Sequence, residues 1–229
     1  AATAAGKTEA AFLPALTRLL REDNANAASG LIVYISPLKA LINDQFGRLA
    51  RLCEQLDVPV WPWHGDISSS LKQRFNRDPR GVLLITPESM EAMLCLRGSA
   101  AAGVLRRTQC LIIDELHAFI GSERGKQLQS LMHRIEVLLT RRVPRVGLSA
   151  TLGDMRIAAD FLRPTVRSQE SGGASATAGT NGSDVQVIDD RSTHAELKVL
   201  IKGYEEPLVA SSGGGGAAAS TTSASEEAS

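Results

Sequence analysis

Apolar residues run along this chain in two alternating rhythms. Short, nearly unbroken runs at Leu31–Ile35, Val58–Trp61, Gly81–Ile85, Cys110–Ile113 and Arg145–Leu148 have the length of buried strands. Between them, Lys7–Arg21 and Leu38–Leu56 carry apolar residues at helical spacing. Lys126–Leu139 shows that spacing most clearly, with Leu128, Leu131, Met132, Ile135, Leu138 and Leu139 at i, i+3, i+4, i+7, i+10 and i+11. Strands apolar on both faces, alternating with helices, predict an α/β fold: a mostly parallel sheet with helices on both faces.

The rhythm stops near residue 163. Residues 164–184 include the small-residue stretch S-G-G-A-S-A-T-A-G-T-N-G-S, with too few apolar groups to offset the entropy of ordering, and are read as a flexible loop. Within 185–210, Val185–Ile188 and Leu197–Ile201 are long enough to add a short strand each or to begin the connection to a further domain. Residues 211–229 have the Gly, Ala and Ser composition of a disordered tail or linker.

Composition narrows the class only modestly. The chain has 229 residues, 43% of them hydrophobic and 22% charged, as in an ordinary globular domain. Its 25 basic and 25 acidic residues cancel, so any polyanion site must be a local patch. Arg141, Arg142 and Arg145 make one cationic cluster and Arg18 and Arg21 a smaller one, both read as solvated helix ends. Cys53, Cys95 and Cys110 lack metal-ligand spacing, and Cys53 and Cys110 fall in apolar segments as small buried hydrophobes. With no apolar run near the roughly 18 residues of a membrane span and no signal peptide, the expected setting is cytoplasmic.

Two motifs carry the chemistry. A-A-T-A-A-G-K-T at residues 1–8 matches a phosphate-binding loop except that Ala1 stands where a Gly is usual. In such a loop Gly6 lets the backbone approach the phosphates, Lys7 neutralises their charge and the Thr8 hydroxyl reaches Mg²⁺. L-I-I-D-E-L-H at 111–117 is an apolar run ending in adjacent carboxylates, which a strand would deliver to the sheet edge where α/β ligands bind. There Asp114 would hold Mg²⁺ and Glu115 would orient the water attacking the terminal phosphate.

The chain also contains P-L-K-A-L at 37–41, H-G-D at 64–66, T-P-E-S at 86–89 and S-A-T at 149–151. In this order, over residues 1–163, the six motifs resemble the first motor domain of superfamily 2 DEAD/DEAH-type helicases. H-A-F-I-G-S-E-R-G-K-Q-L after the paired acids is similar to the large helicase-related (Lhr-like) branch. The resemblance implies a RecA-like P-loop NTPase domain using ATP and Mg²⁺. It also implies that His117 touches the S-A-T segment, and that Ser149 and Thr151 couple nucleotide state to nucleic-acid grip. A purely structural, hydrogen-bonded His117 is the open alternative.

Nucleic acid, with single-stranded DNA favoured and RNA possible, is expected at the opposite edge of the domain, held by Pro37, Lys39, Gly65, Asp66, Thr86, Pro87 and Glu88 in three loops. Hydroxyls, amides and one Lys position a strand without reading its bases. Trp61 and Trp63 either stack on bases or pack in the core. Because the phosphate loop starts at residue 1, the domain reads as incomplete at its N-terminus. The function also calls for a second motor domain with an arginine finger, worth about 10³–10⁵ in rate, so little hydrolysis is expected without it. A DNA-translocating ATPase that separates no strands and a degenerate nucleotide-binding scaffold are the alternatives.

Overall fold

The computed structural model describes residues 6–21, 30–149, 154–164 and 185–188. Five parallel strands, β1 (Leu31–Ile35), β2 (Val60–Trp63), β3 (Gly81–Ile85), β4 (Thr108–Ile113) and β5 (Arg145–Gly147), form one sheet in the order β2-β3-β1-β4-β5. The helices are α1 (Lys7–Arg21), α2 (Lys39–Glu54), α3 (Ser69–Arg77), α4 (Pro87–Arg97), α5 (Ser99–Leu105), α6 (Glu123–Leu139) and α7 (Met155–Leu162). A 3₁₀ turn spans Leu116–Ala118.

Strand alternation splits the core into two layers. Leu31, Val33, Ile35, Leu83, Ile85, Leu111 and Ile113 point to one face and pack with side chains of α4, α5, α6 and α7. Ile32, Tyr34, Val82, Leu84, Cys110 and Ile112 point to the other, against α1 and α2. Leu128, Leu131, Met132 and Ile135 are buried as the α6 stripe predicts, but Leu138 is exposed. Cys53 and Cys110 are buried, and burial pushes both thiols up to about 11.

Several boundaries differ from the sequence reading. The second strand lies two residues later than expected, at Val60–Trp63, and it flanks the sheet, where Pro62, with no N–H to donate, is tolerated. Helix α4 was hidden by turn punctuation: Pro87 occupies its first turn and the Thr86 side chain accepts the Ser89 N–H. Ser68, Ser122 and Asp154 cap α3, α6 and α7 in the same way. Trp61 and Trp63 are buried against Phe75 of α3, so core packing is the reading that holds. Val185–Ile188 carries no strand.

The other expectations for the C-terminal segments, including Leu197–Ile201 and the 211–229 tail, fall outside the described residues. Among the described residues no helix is long and apolar enough to cross a membrane.

Candidate functional site

Parallel strands end at one edge, and that edge collects the chemistry. The Asp114 N–H donates to the Ile35 carbonyl at 2.9 Å, carrying the β1–β4 ladder one residue past Ile113. One Asp114 oxygen accepts the Glu115 N–H at 2.9 Å, and the other accepts the Tyr34 hydroxyl from β1. Tyr34 is fully buried, with its ring against Phe12 of α1. Burial first, then the charge of Asp114, pushes its hydroxyl far above the ordinary tyrosine value, so it remains a donor.

Glu115 follows in the left-handed region, φ 47° and ψ 48°. A non-glycine residue held there costs about 1–3 kcal/mol. The 2.8 Å bond from the Leu116 N–H to the Leu148 carbonyl fixes the chain immediately beyond it.

Gly6, at φ 68°, opens α1, with its carbonyl accepting the Ala10 N–H. The Lys7 ammonium donates to the Ser149 carbonyl at 2.9 Å. His117 Nδ1 lies 3.1 Å from Ser149 Oγ and 3.3 Å from Glu115 Oε2. One ring nitrogen thus faces a hydroxyl and a carboxylate, and its proton decides which contact dominates. Lys7, Glu115, His117 and Ser149 form one chain of contacts, with Asp114 joined through the Glu115 amide.

Thr8 lines a cavity of about 400 Å³ with Glu9, Phe12 and Arg48. Among the described residues no hydrogen bond joins it to Asp114 or Glu115. Ala1 and Thr151 lie outside the described residues.

The residues nominated for nucleic acid leave the same edge of the sheet. They do not occupy the opposite one: all four strand pairings are parallel, so turns after β1, β2 and β3 emerge beside Asp114 and Ser149, displaced only along the sheet. Nor are all of them loop residues, since Lys39 opens α2 and Pro87 and Glu88 lie in the first turn of α4.

They fall into two groups. In one, Lys39 Nζ is 3.0 Å from Asp66 Oδ2 and a Cβ on Gly65 would lie 3.6 Å from that ammonium. His64, buried behind them, bonds Asn43 Oδ1 at 3.0 Å. Burial pulls its imidazole below the ordinary value and outweighs Asp66. In the other group, Arg124 donates to Glu88 at 2.7 Å and to the Pro37 carbonyl at 2.9 Å. Burial pushes the Glu88 carboxyl up, but Arg124 and backbone hydrogen bonding outweigh it and hold it below the ordinary value.

Sequence reasoning missed Tyr34, Asn43 and Arg124, although Arg124 stands in the quoted S-E-R-G-K. It also misread one member of a cationic cluster, Arg145. The Arg145 side chain is only 6% exposed and ion-pairs with Glu136 at 2.7 Å, and Glu136 is chelated in turn by Arg163 at 2.9 and 2.7 Å. Arg141 donates to the Thr108 carbonyl. Arg145 and Arg163 thus hold α6, β5 and the end of α7 together, whereas Arg141 and Arg142 are exposed just past the end of α6, as expected of a helix end.

The family model for DEAD/DEAH box helicases matches residues 1–158. The Lhr helicase/uracil glycosylase of Escherichia coli (strain K12) is 36% identical over 180 residues, 71% of this chain and 12% of that protein. The ATP-dependent helicase Lhr-Core of Saccharolobus solfataricus is 32% identical over 171 residues, 70% of this chain and 19% of the relative. Among solved structures, the Mycobacterium smegmatis helicase Lhr bound to ssDNA and AMP-PNP is similar with a TM-score of 0.58 and 34% identity, covering 69% of this chain and 21% of that one. The chain therefore spans between about a tenth and a fifth of these relatives' lengths.

Proposed function

The chain belongs to the DEAD/DEAH box helicase family, in its Lhr-like branch, and from that premise we propose that it is the first motor domain of an ATP-dependent helicase or translocase working on single-stranded nucleic acid. The observation that carries this reading is the contact chain Lys7–Ser149–His117–Glu115 at the C-terminal edge of the sheet.

Nucleotide phosphates would draw the Lys7 ammonium from the Ser149 carbonyl, because a doubly charged phosphate is a stronger acceptor than an amide oxygen. Ser149, released, changes what His117 faces. Occupancy of the phosphate site would thereby be felt at Glu115, which in this reading orients the attacking water.

Asp114 and Thr8 fit Mg²⁺, which keeps several waters and takes only one or two protein oxygens beside the phosphates. When bound, the ion supplies charge neutralisation on those phosphates. Asp114 is suited to it because Tyr34 and the Glu115 amide fix the carboxylate direction while leaving lone pairs free. On the nucleic-acid side, Lys39 is neutralised by Asp66 across an exposed pair, a weak tie that a backbone phosphate can replace. The Thr86 turn, the Gly65 backbone and the Pro37 turn offer contacts without base readout, as a moving motor needs. A second motor domain would complete the site.

The test is calorimetric titration of this chain with Mg–ATP, with hydrolysis followed with and without single-stranded DNA. Saturable binding that disappears in Lys7→Ala is the expected result. Binding that survives the substitution, or none in the wild type, rejects this reading in favour of a scaffold domain.

A further inference from the structure

The segment after the paired acids is built without slack. The Phe119 carbonyl accepts both the N–H and the Oγ–H of Ser122, at 3.2 and 2.8 Å. Ser122 Oγ in turn accepts the Gly125 N–H at 3.1 Å. Gly125 packs so closely that a Cβ there would stand 1.9 Å from the Phe119 carbonyl oxygen. The first turn of α6 therefore cannot slide over Phe119. Upstream, Phe119 N–H bonds to the Leu116 carbonyl, and Leu116 N–H to the Leu148 carbonyl, in the two segments that carry His117 and Ser149.

Arg124 projects from that first turn. Its guanidinium lies 5.7 Å from the centroid of the fully buried Phe119 ring. From there its Nε reaches Glu88 on α4 and its second terminal nitrogen reaches the Pro37 carbonyl after β1. One planar fork thus joins three elements: the loop that follows Glu115 and both turns of one nucleic-acid group. Lysine, with a single point of charge, cannot reproduce two bonds in fixed directions while stacked on a ring. The same fork occupies Glu88, so that carboxylate serves the bridge and no longer presents a bare charge to a phosphodiester strand.

We propose that Arg124 is a positioning residue that couples the nucleotide site to the nucleic-acid interface, moving the Pro37 and Glu88 turns as one body with the loop behind Glu115. The proposal rests on the motor reading above and adds the route by which the two ligands sense each other. A change at Lys7, Ser149 and His117 shifts Leu116 and Phe119. Arg124, pinned to Phe119 on one side and to both turns on the other, then transmits the shift. By linkage, nucleic acid must bias nucleotide binding to the same extent.

The test is the affinity of this chain for a fluorescein-labelled single-stranded oligodeoxythymidine, read by anisotropy with and without Mg–AMP-PNP, alongside the affinity for Mg–AMP-PNP alone. Wild type should show a difference between the two nucleotide states, typically about 5- to 150-fold for coupled sites. Arg124→Gln should bring that ratio close to one while leaving Mg–AMP-PNP affinity without DNA unchanged. Arg124→Lys, which keeps the charge over Phe119, should recover part of it. It also serves as the decisive variant if Arg124→Gln does not fold.

A wild-type ratio retained in Arg124→Gln, or in Arg124→Lys where that variant stands in, overturns the assignment. So does DNA binding weakened equally in both states, the signature of a merely structural arginine. A wild type with no difference between states overturns the motor reading itself, and this proposal with it.

Discussion

At the scale of single residues, Tyr34 is the side chain that orients Asp114, the carboxylate proposed for Mg²⁺. Its hydroxyl is buried on β1 and donates to Asp114, while the other Asp114 oxygen takes the Glu115 amide. Outer partners of metal-binding side chains typically contribute 10- to 100-fold in metal affinity. Tyr34→Phe removes the donor and keeps the ring against Phe12. It should raise the Mg²⁺ concentration for half-maximal AMP-PNP binding by about 10-fold, measured by Mg²⁺ titration at fixed nucleotide. An unchanged midpoint would show that the Glu115 amide alone holds Asp114 in place.

At the scale of elements, Glu136 on α6 is the hub that fixes β5 and α7, the elements flanking the S-A-T segment. It accepts from Arg145 and Arg163 and from the Val143 N–H. Burial pushes the Glu136 carboxyl up, and Arg163, the Val143 amide and Arg145 together outweigh this and hold it below the ordinary value. Burial, with repulsion from Arg163, loosens the Arg145 proton. A guanidinium starts so far above neutrality that it stays charged.

Because the folded-state value of Glu136 is depressed, its contribution is complete above the ordinary carboxylate range near 4.3 and is lost as pH falls below it. Glu136→Gln should cost roughly 3–5 kcal/mol at pH 7, the usual cost of stranding buried partners. The gap from wild type should narrow by pH 3, as urea denaturation at the two pH values would reveal. A gap of equal size at both would mean that packing, and not charge, makes the hub.

At the scale of the whole molecule, equal numbers of acidic and basic residues leave no general field to attract a polyanion. Of the residues nominated for nucleic acid, Lys39 is the lone cation. Each neutralised phosphate on a single strand contributes about −0.7 to the slope of log affinity against log salt. The expected slope for single-stranded DNA is therefore shallow, about −0.7 to −1.4, from anisotropy titrations over a range of KCl concentrations. A slope steeper than about −4 would mean that basic side chains elsewhere carry the interaction.

Much of this was legible in the chain. The strand–helix alternation is visible because burial on both sheet faces demands unbroken apolar runs, and the paired acids declare themselves by ending one. Helices α3, α4, α5 and α7 were not legible. Their apolar faces are short, and at α4 a Thr-Pro pair serves equally as turn punctuation and as a helix cap.

The sequence by itself determined which chemical groups exist and which of them directly follow an apolar strand, since side-chain alternation and element order are local properties of the chain. The tertiary structure alone decided their company. Tyr34 meets Asp114 across 80 residues, Arg124 meets Glu88 across 36 and Pro37 across 87, and Lys7 meets Ser149 across 142. Such partners are chosen by strand register and helix packing. Periodicity states which face a side chain occupies, but not which residue of another element waits there.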